Sequence, residues 1–254
     1  MTFDQIYRDK RIVLSYELFP QKYAEGMAAL EQNLRDLLRF SPHFVTCTYG
    51  AGGSTRDKTL DTLKLVQSLT PVPVASHLTC VGATVDDLRA YLGLAAAPAI
   101  ANIVAIRGDA PKGVATFEAI EGGLQYGGDL VKLIHGEFSD FGIACGGYPE
   151  KHPEAADDRT DLDNLKRKVD NGADVVITQL FYNNDDFYRF REACTKIGIG
   201  IPIVPGILPV TSFAQINRIT SLCGAKLPPD FRSALQDAEG DEDAQHHVGV
   251  DHAP

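Results

Sequence analysis

The chain has 254 residues, 44% apolar and 23% charged, a balance that suits a globular protein with one α/β barrel or two small domains. Its 34 acidic against 24 basic residues leave a net charge of −10, which repels polyanions. With no basic run beyond Lys166-Arg167-Lys168, a nucleic-acid partner is not expected.

Five scattered cysteines without a Cys-x-x-Cys pair predict reduced, mostly buried thiols rather than a disulfide framework or a zinc site. The opening MTFDQIYRDKRIVLSYELFP places charges where a signal peptide needs an apolar core. No apolar run is long enough to span a bilayer. The expectation is a cytoplasmic protein with no membrane partner.

In chain order, a β-branched run at 11–17 (RIVLSYE) predicts a strand. ALEQNLRDLLRF (29–40) then places Leu30, Leu34, Leu37 and Leu38 on one helical face. A second strand is predicted at 43–48 (HFVTCT), followed by a helix over 57–69 with Leu60, Leu63 and Val66 aligned. After a third strand at 72–77, TVDDLRAYLGL (84–94) opens with Thr84 as N-cap and acids in the first turn. The fourth strand, 102–107, leads into a long connection at 110–126, a length that marks functional loops. Gly127-Gly128-Asp129 then opens a helix whose free N–H groups suit phosphate. Further strands are predicted at 141–146, 174–179 and 201–204, with a helix over 160–173 stopped by Gly172.

Strand and helix thus alternate at about thirty residues per unit, the rhythm of a (β/α)₈ TIM-type barrel. A doubly wound sheet has the same local rhythm, but no Gly-x-Gly-x-x-Gly follows the first strand. The expectation is one α/β barrel domain over 1–254, with a tail at 236–254 that is disordered or rearranged.

Barrel chemistry gathers at the C-terminal ends of strands. Those ends read Glu17, Thr48-Tyr49, His77, Arg107-Gly108-Asp109, Tyr148 with His152, and Gln179. Each has a plainer reading: Glu17 in a core ion pair with Arg107, His77 a hydrogen-bonded core histidine, Thr48-Tyr49 ahead of a flexible turn, His152 on the surface, Gln179 satisfying backbone. The Arg-Gly-Asp triplet also resembles an adhesion signal, but chance triplets are frequent. Six successive strand ends with polar groups are the stronger pattern.

With these residues assembled, the chain closely resembles the bacterial type of methylenetetrahydrofolate reductase. The matching stretches are SYELFP (15–20), VTCTYGAGGSTRDKT (45–59), SHLTC (76–80), NIVAIRGDAP (102–111), GGYPEKHPEA (146–155), DLDNLKRKVDNGAD (161–174), ITQLFY (177–182) and IVPGILPVTSF (203–213). The resemblance implies a barrel holding FAD, with NADH or NADPH as donor, that reduces 5,10-methylenetetrahydrofolate to 5-methyltetrahydrofolate in ping-pong order. It implies Glu17 as general acid and Asp109 as an anion tuning flavin and folate, both also touching substrate. Gln179 and Gln215 match substrate contacts. Thr48, Tyr49, Ala51, His77, Arg107, Gly108, Asp109, Gly127, Tyr148, His152, Ala155, Asp161, Asn164, Arg167 and Lys168 match flavin contacts. No metal is implied, and a homo-oligomer is expected.

The chain departs from the family at its C-terminus. The register runs through VGVDHA and then stops, so the eighth βα unit is expected to be lacking. This motivates an alternative reading as a C-terminally truncated, catalytically impaired flavin- or folate-binding protein. Ile219 also stands where family members can carry an aromatic.

Overall fold

A computed structural model describes residues 1–8, 12–21, 23–49, 56–97, 100–110, 113–114 and 116–252. The elements run α1 (Phe3–Arg8), β1 (Ser15–Leu18), α2 (Ala24–Leu38), β2 (Phe44–Cys47), α3 (Arg56–Leu69), β3 (Val74–Thr79), α4 (Val85–Ala96), β4 (Asn102–Ile106) and α5 (Gly127–Glu137). They continue with β5 (Gly142–Gly147), α6 (Asp158–Asp170), β6 (Val175–Thr178), α7 (Asn184–Lys196), β7 (Ile203–Val204), α8 (Phe213–Cys223), α9 (Pro229–Asp237) and α10 (Glu242–His252). The strands form one sheet in chain order, β1 to β7. Its pairings are parallel, with Glu17 opposite Thr46, His77 opposite Val104 and Val176 opposite Ile203. This is an α/β fold of TIM-barrel type with seven parallel strands, and no eighth strand occurs among the described residues.

Every residue of β2 and β3 is buried, as expected for parallel strands covered on both faces. The first strand starts at Ser15, residues 12–14 precede it and Ile12 is exposed, and residue 11 lies outside the described residues. Helix α4 turns Leu88, Tyr91, Leu92 and Ala95 inward. Its Thr84 cap is a full capping box: Asp87 N–H donates to Thr84 Oγ1 at 3.1 Å, and Thr84 N–H donates to Asp87 Oδ2 at 3.0 Å. Helix α6 ends two residues before Gly172, which takes φ +112°, a conformation glycine adopts cheaply.

The chain forms two compact units: Met1–Cys145 with Arg167–Val175, and Gly146–Lys166 with Val176–Pro254. In the larger unit α1 buries Phe3 and Ile6 completely. The Phe3 ring meets Phe44 edge-on at 5.2 Å, and Asn102 on β4 holds the α1 backbone through the Phe3 N–H. In the smaller unit Val210, Phe213, Ile216, Phe231 and Leu235 form a core, with Ile219 packed against it. Helix α10 occupies most of 236–254 and joins this core, where Gln245 Oε1 accepts the Phe213 N–H at 2.7 Å.

All five cysteines are free, and Cys47, Cys80, Cys145 and Cys194 are buried. Among the described residues no helix is long and apolar enough to cross a membrane.

Candidate active site

In the larger unit, Glu17 on β1 and His77 on β3 meet at the C-terminal end of the sheet. Glu17 Oε2 lies 3.8 Å from His77 Nε2. The nearest ring to the Glu17 carboxyl is therefore His77. Burial pushes the His77 pKa down to about 4, so the ring is neutral near pH 7. Crowding by protein raises the Glu17 carboxyl above its ordinary value. Its side chain is still 46% exposed, so solvent moderates that rise. On β2 the Cys47 thiol is pushed up to about 12, by burial first and then by the negative charge of Glu17. His77 Nε2 and Thr79 Oγ1, two residues apart on β3, are closed off from solvent without a hydrogen-bond partner among the described residues.

The end of β4 explains why a buried strand stops on Arg-Gly-Asp. Arg107 C=O accepts the Cys80 N–H at 3.0 Å, which carries the ladder one step past the strand. Gly108 then takes φ +87°, and a Cβ there would stand 2.9 Å from Val81 Cγ1. A side chain is excluded by backbone conformation and by packing together. Arg107 donates from Nε to the Gly108 carbonyl at 3.2 Å, and its guanidinium sits 5.0 Å from the Phe117 ring centre. Asp109 is exposed at the turn.

The long connection is built from its own contacts. Phe117 is buried. Gln125 accepts the Ala119 N–H at 2.9 Å and donates to Phe117 C=O at 3.3 Å. Gly127 is buried, and a Cβ on it would lie 3.1 Å from the Arg107 nitrogen. That glycine serves close packing on β4 as well as helix opening. Asp129 accepts the Tyr126 N–H at 3.1 Å, so a carboxylate already stands in the first turn of α5. Lys168 Cγ would lie 3.7 Å from a Cβ on Gly128, and Asn171 donates to Gly128 C=O at 2.9 Å. Arg167 and Lys168 occupy the last turn of α6. Thr48 N–H donates to Leu18 C=O at 2.9 Å, and Tyr49 packs edge-on to Tyr91 at 5.4 Å. Ala51 lies outside the described residues.

The smaller unit carries the other predicted residues. Tyr148 and His152 meet ring edge to ring face at 4.6 Å. The loop between β5 and α6 is wound on itself. Asp161 accepts the His152 N–H at 3.0 Å, His152 Nδ1 accepts the Glu154 N–H at 3.0 Å, and Ala155 N–H donates to His152 C=O at 3.0 Å. Asn164 lies on α6 in the same unit. Gln179 continues β6, its N–H donating to Gly147 C=O and its Oε1 accepting the Leu180 N–H, both at 2.8 Å. Gln215, in the first turn of α8, accepts from the Thr211 hydroxyl at 3.1 Å.

Sequence reasoning missed a cavity of about 420 Å³ in this unit, lined by Phe181, Tyr182, Leu208, Val210, Phe231 and His252 among others. His252 stacks on Phe231 at 3.7 Å, and its Nε2 lies 2.9 Å from Tyr182 C=O. The aromatic pair in ITQLFY was a signal for it, but its partners arrive from α9 and α10. No group of three or more His, Cys, Asp or Glu among the described residues could hold a metal ion.

A seven-stranded parallel α/β sheet with ionisable and polar groups at its strand ends defines a protein of TIM-barrel type. The sequence profile described as methylenetetrahydrofolate reductase matches residues 2–254, and the chain belongs to that family. It is 38% identical over 240 residues to 5,10-methylenetetrahydrofolate reductase of Escherichia coli, covering 94% of this chain and 79% of that protein. It is 38% identical over 252 residues to methylenetetrahydrofolate reductase (NADH) 1 of Zea mays, covering 95% of this chain but only 42% of the maize protein's length. Among solved structures, an uncharacterised Clostridium thermocellum protein that binds two copies of 5-methyl-5,6,7,8-tetrahydrofolic acid superposes with a TM-score of 0.66. At 15% identity, covering 98% of this chain and 83% of that one, this likeness speaks to the fold.

Proposed function

We propose that the chain reduces 5,10-methylenetetrahydrofolate to 5-methyltetrahydrofolate, using FAD as resident cofactor and a nicotinamide nucleotide as electron source, in ping-pong order. The family match over residues 2–254 supports the reaction, and the maize relative's name supports NADH as the donor. The observation that carries the reading is the Glu17 carboxyl, raised in pKa and open on one side at a strand end. A proton donor for a leaving amine needs that combination near neutral pH.

The residues present fit FAD. Thr79 Oγ1, at the end of β3, is a buried polar atom without a partner among the described residues, and such an atom calls for a polar group to meet it. The stem of Lys168 lies beside the opening turn of α5, where a cation and N–H groups that suit a phosphate stand against the opposing charge of the Asp129 carboxylate. Arg167 and Lys168 would take the negative charge. The family match carries Thr48, Tyr49, His77, Arg107, Gly108, Asp109, Gly127, Tyr148, His152, Ala155, Asp161 and Asn164 as the further residues that would contact the cofactor. The flavin, when bound, supplies a ring system that accepts and returns a hydride.

Glu17 gives its proton to the folate nitrogen that departs as the five-membered ring opens. Asp109 favours the cationic carbon–nitrogen centre that results, by its negative charge. Gln179 and Gln215 hold the pterin through amide hydrogen bonds. The test is spectroscopic. Purified protein with added FAD should be yellow, bleach anaerobically with NADH, and regain colour with 5,10-methylenetetrahydrofolate. In Glu17→Gln the bleaching should survive and the return of colour should collapse. A protein that stays colourless with added FAD removes the proposal.

A further inference from the structure

His77 is more than a wall of the site. Its Nε2 is closed off from solvent and has no partner among the described residues, whereas buried polar nitrogens are normally bonded. Facing it at 3.8 Å is Glu17 Oε2, too far for a formed hydrogen bond and near enough to become one with a small side-chain movement. A protonated carboxyl brings its own O–H donor and does not depend on a ring N–H. A carboxylate, which only accepts hydrogen bonds, needs a donor.

We infer that His77 is a positioning residue for Glu17: its Nε2–H closes onto Oε2 when the carboxyl gives up its proton, and so stabilises the conjugate base of the acid. The inference rests on the reading of Glu17 as proton donor. The proton travels from the Glu17 O–H to the folate nitrogen. His77 transfers none; it stays neutral with the proton on Nε2 and Nδ1 bare. Two opposing influences then set the acidity of Glu17. Surrounding protein weakens the acid, and the imidazole N–H strengthens it. Without the second, a crowded carboxyl holds its proton too firmly to donate it.

The other ionisable groups around the pair do not substitute for His77. On β2, Cys47 is held as a thiol. Strand β4, Asn102–Ile106, carries no titratable side chain. Beyond it, the Arg107 guanidinium is placed over Phe117, and Asp109 is exposed. Glu17 pairs with no lysine or arginine among the described residues.

The experiment is a carbon-13 NMR titration of the Glu17 carboxyl in the FAD-loaded protein without substrates, with the signal assigned by Glu17→Gln. It compares wild type, His77→Leu, which removes the donor, and His77→Asn, which keeps an N–H. His77→Leu should raise the Glu17 titration by about one unit, a tenfold weaker acid, and slow folate-dependent flavin reoxidation by about tenfold. His77→Asn should restore much of both. An unmoved titration in His77→Leu, or identical behaviour of the Leu and Asn variants, overturns the inference and leaves the reductase reading standing. Undiminished folate reduction in Glu17→Gln overturns the reading of Glu17 as the acid, whatever His77 does to its titration. If His77→Leu does not fold, nitrogen-15 shifts of the wild-type ring decide: a protonated Nε2 that responds to Glu17 ionisation supports the inference, and a bare Nε2 ends it.

Discussion

Asn102 accepts the Phe3 N–H on its side-chain oxygen at 2.6 Å and donates from Nδ2 to Met1 C=O at 3.1 Å. One side chain at the start of β4 thereby fastens the first helix of the chain to the sheet. Gly142 on β5 completes the arrangement, since a Cβ there would run into Asn102 Oδ1.

Replacing Asn102 with alanine strands a buried N–H and a carbonyl. We expect a loss of about 1–3 kcal/mol in urea unfolding, together with faster amide exchange across α1. Normal stability combined with normal α1 protection would show that Asn102 does not hold the helix.

Gly108→Ala should be more damaging than Gly113→Ala. Both residues have positive φ, +87° and +89°, but among the described residues Gly108 faces packed atoms and Gly113 has none within 4 Å. The backbone strain, on the order of 1–2 kcal/mol, is common to both. The extra cost at Gly108 therefore reports the contact with Val81 and Thr79. FAD affinity, read by fluorescence titration, should fall at least about tenfold for Gly108→Ala alone. Equal effects of the two variants on stability and affinity would contradict the packing argument.

His77 should give the stability an acid limb. An imidazole ordinarily titrates at 6.5, and burial takes this one to about 4. Between those values the folded chain binds fewer protons than the unfolded one. The stability contribution is thus present above the unfolded value and is lost as pH falls through the folded one, by roughly 3 kcal/mol. Glu17, raised in pKa, contributes with the opposite slope: its stability is present at low pH and lost as pH rises, a smaller effect for so exposed a side chain. Urea midpoints of wild type and His77→Leu, compared between about pH 7 and 4, should diverge, the variant being flatter. Parallel curves would count against a neutral buried imidazole.

Gly249→Ala should displace α10. A Cβ at this position would collide with the Val210 carbonyl oxygen, whereas Gly136 on α5 has nothing within 4 Å. Gly136→Ala should stabilise by about 0.5–1 kcal/mol through helix propensity. Gly249→Ala should instead raise amide exchange in α10 and at the Phe213 N–H held by Gln245. Unchanged exchange would mean that α10 is not seated on Val210.

Much of the fold was legible in local pattern. Residues 84–94 announced α4 because an N-cap threonine and its acid partner lie within one turn, and the structure forms that box. The run 102–107 announced β4 because a continuous apolar stretch ahead of a glycine has few other uses. The start of the first strand was misjudged because residues 11–14 share its composition, and only neighbouring strands decide where pairing begins.

The candidate site divides in the same way. The order of Glu17, His77, Arg107, Gly108 and Asp109 along the chain, and their places at strand ends, follow from periodicity alone. That Glu17 faces His77 does not, because it depends on the register of three strands. Nor does the second use of Gly127, whose backbone lies against Arg107. The cavity between Phe181 and His252 joins segments about seventy residues apart. The sequence by itself determined the alternation of elements, their caps and the chemical groups available at each strand end, because these rest on interactions within a turn or two of chain. Only the tertiary structure decided which groups meet, which glycines are compulsory and which polar atoms are left unpartnered, because side-chain contact across strands is set by register and packing, which local pattern does not encode.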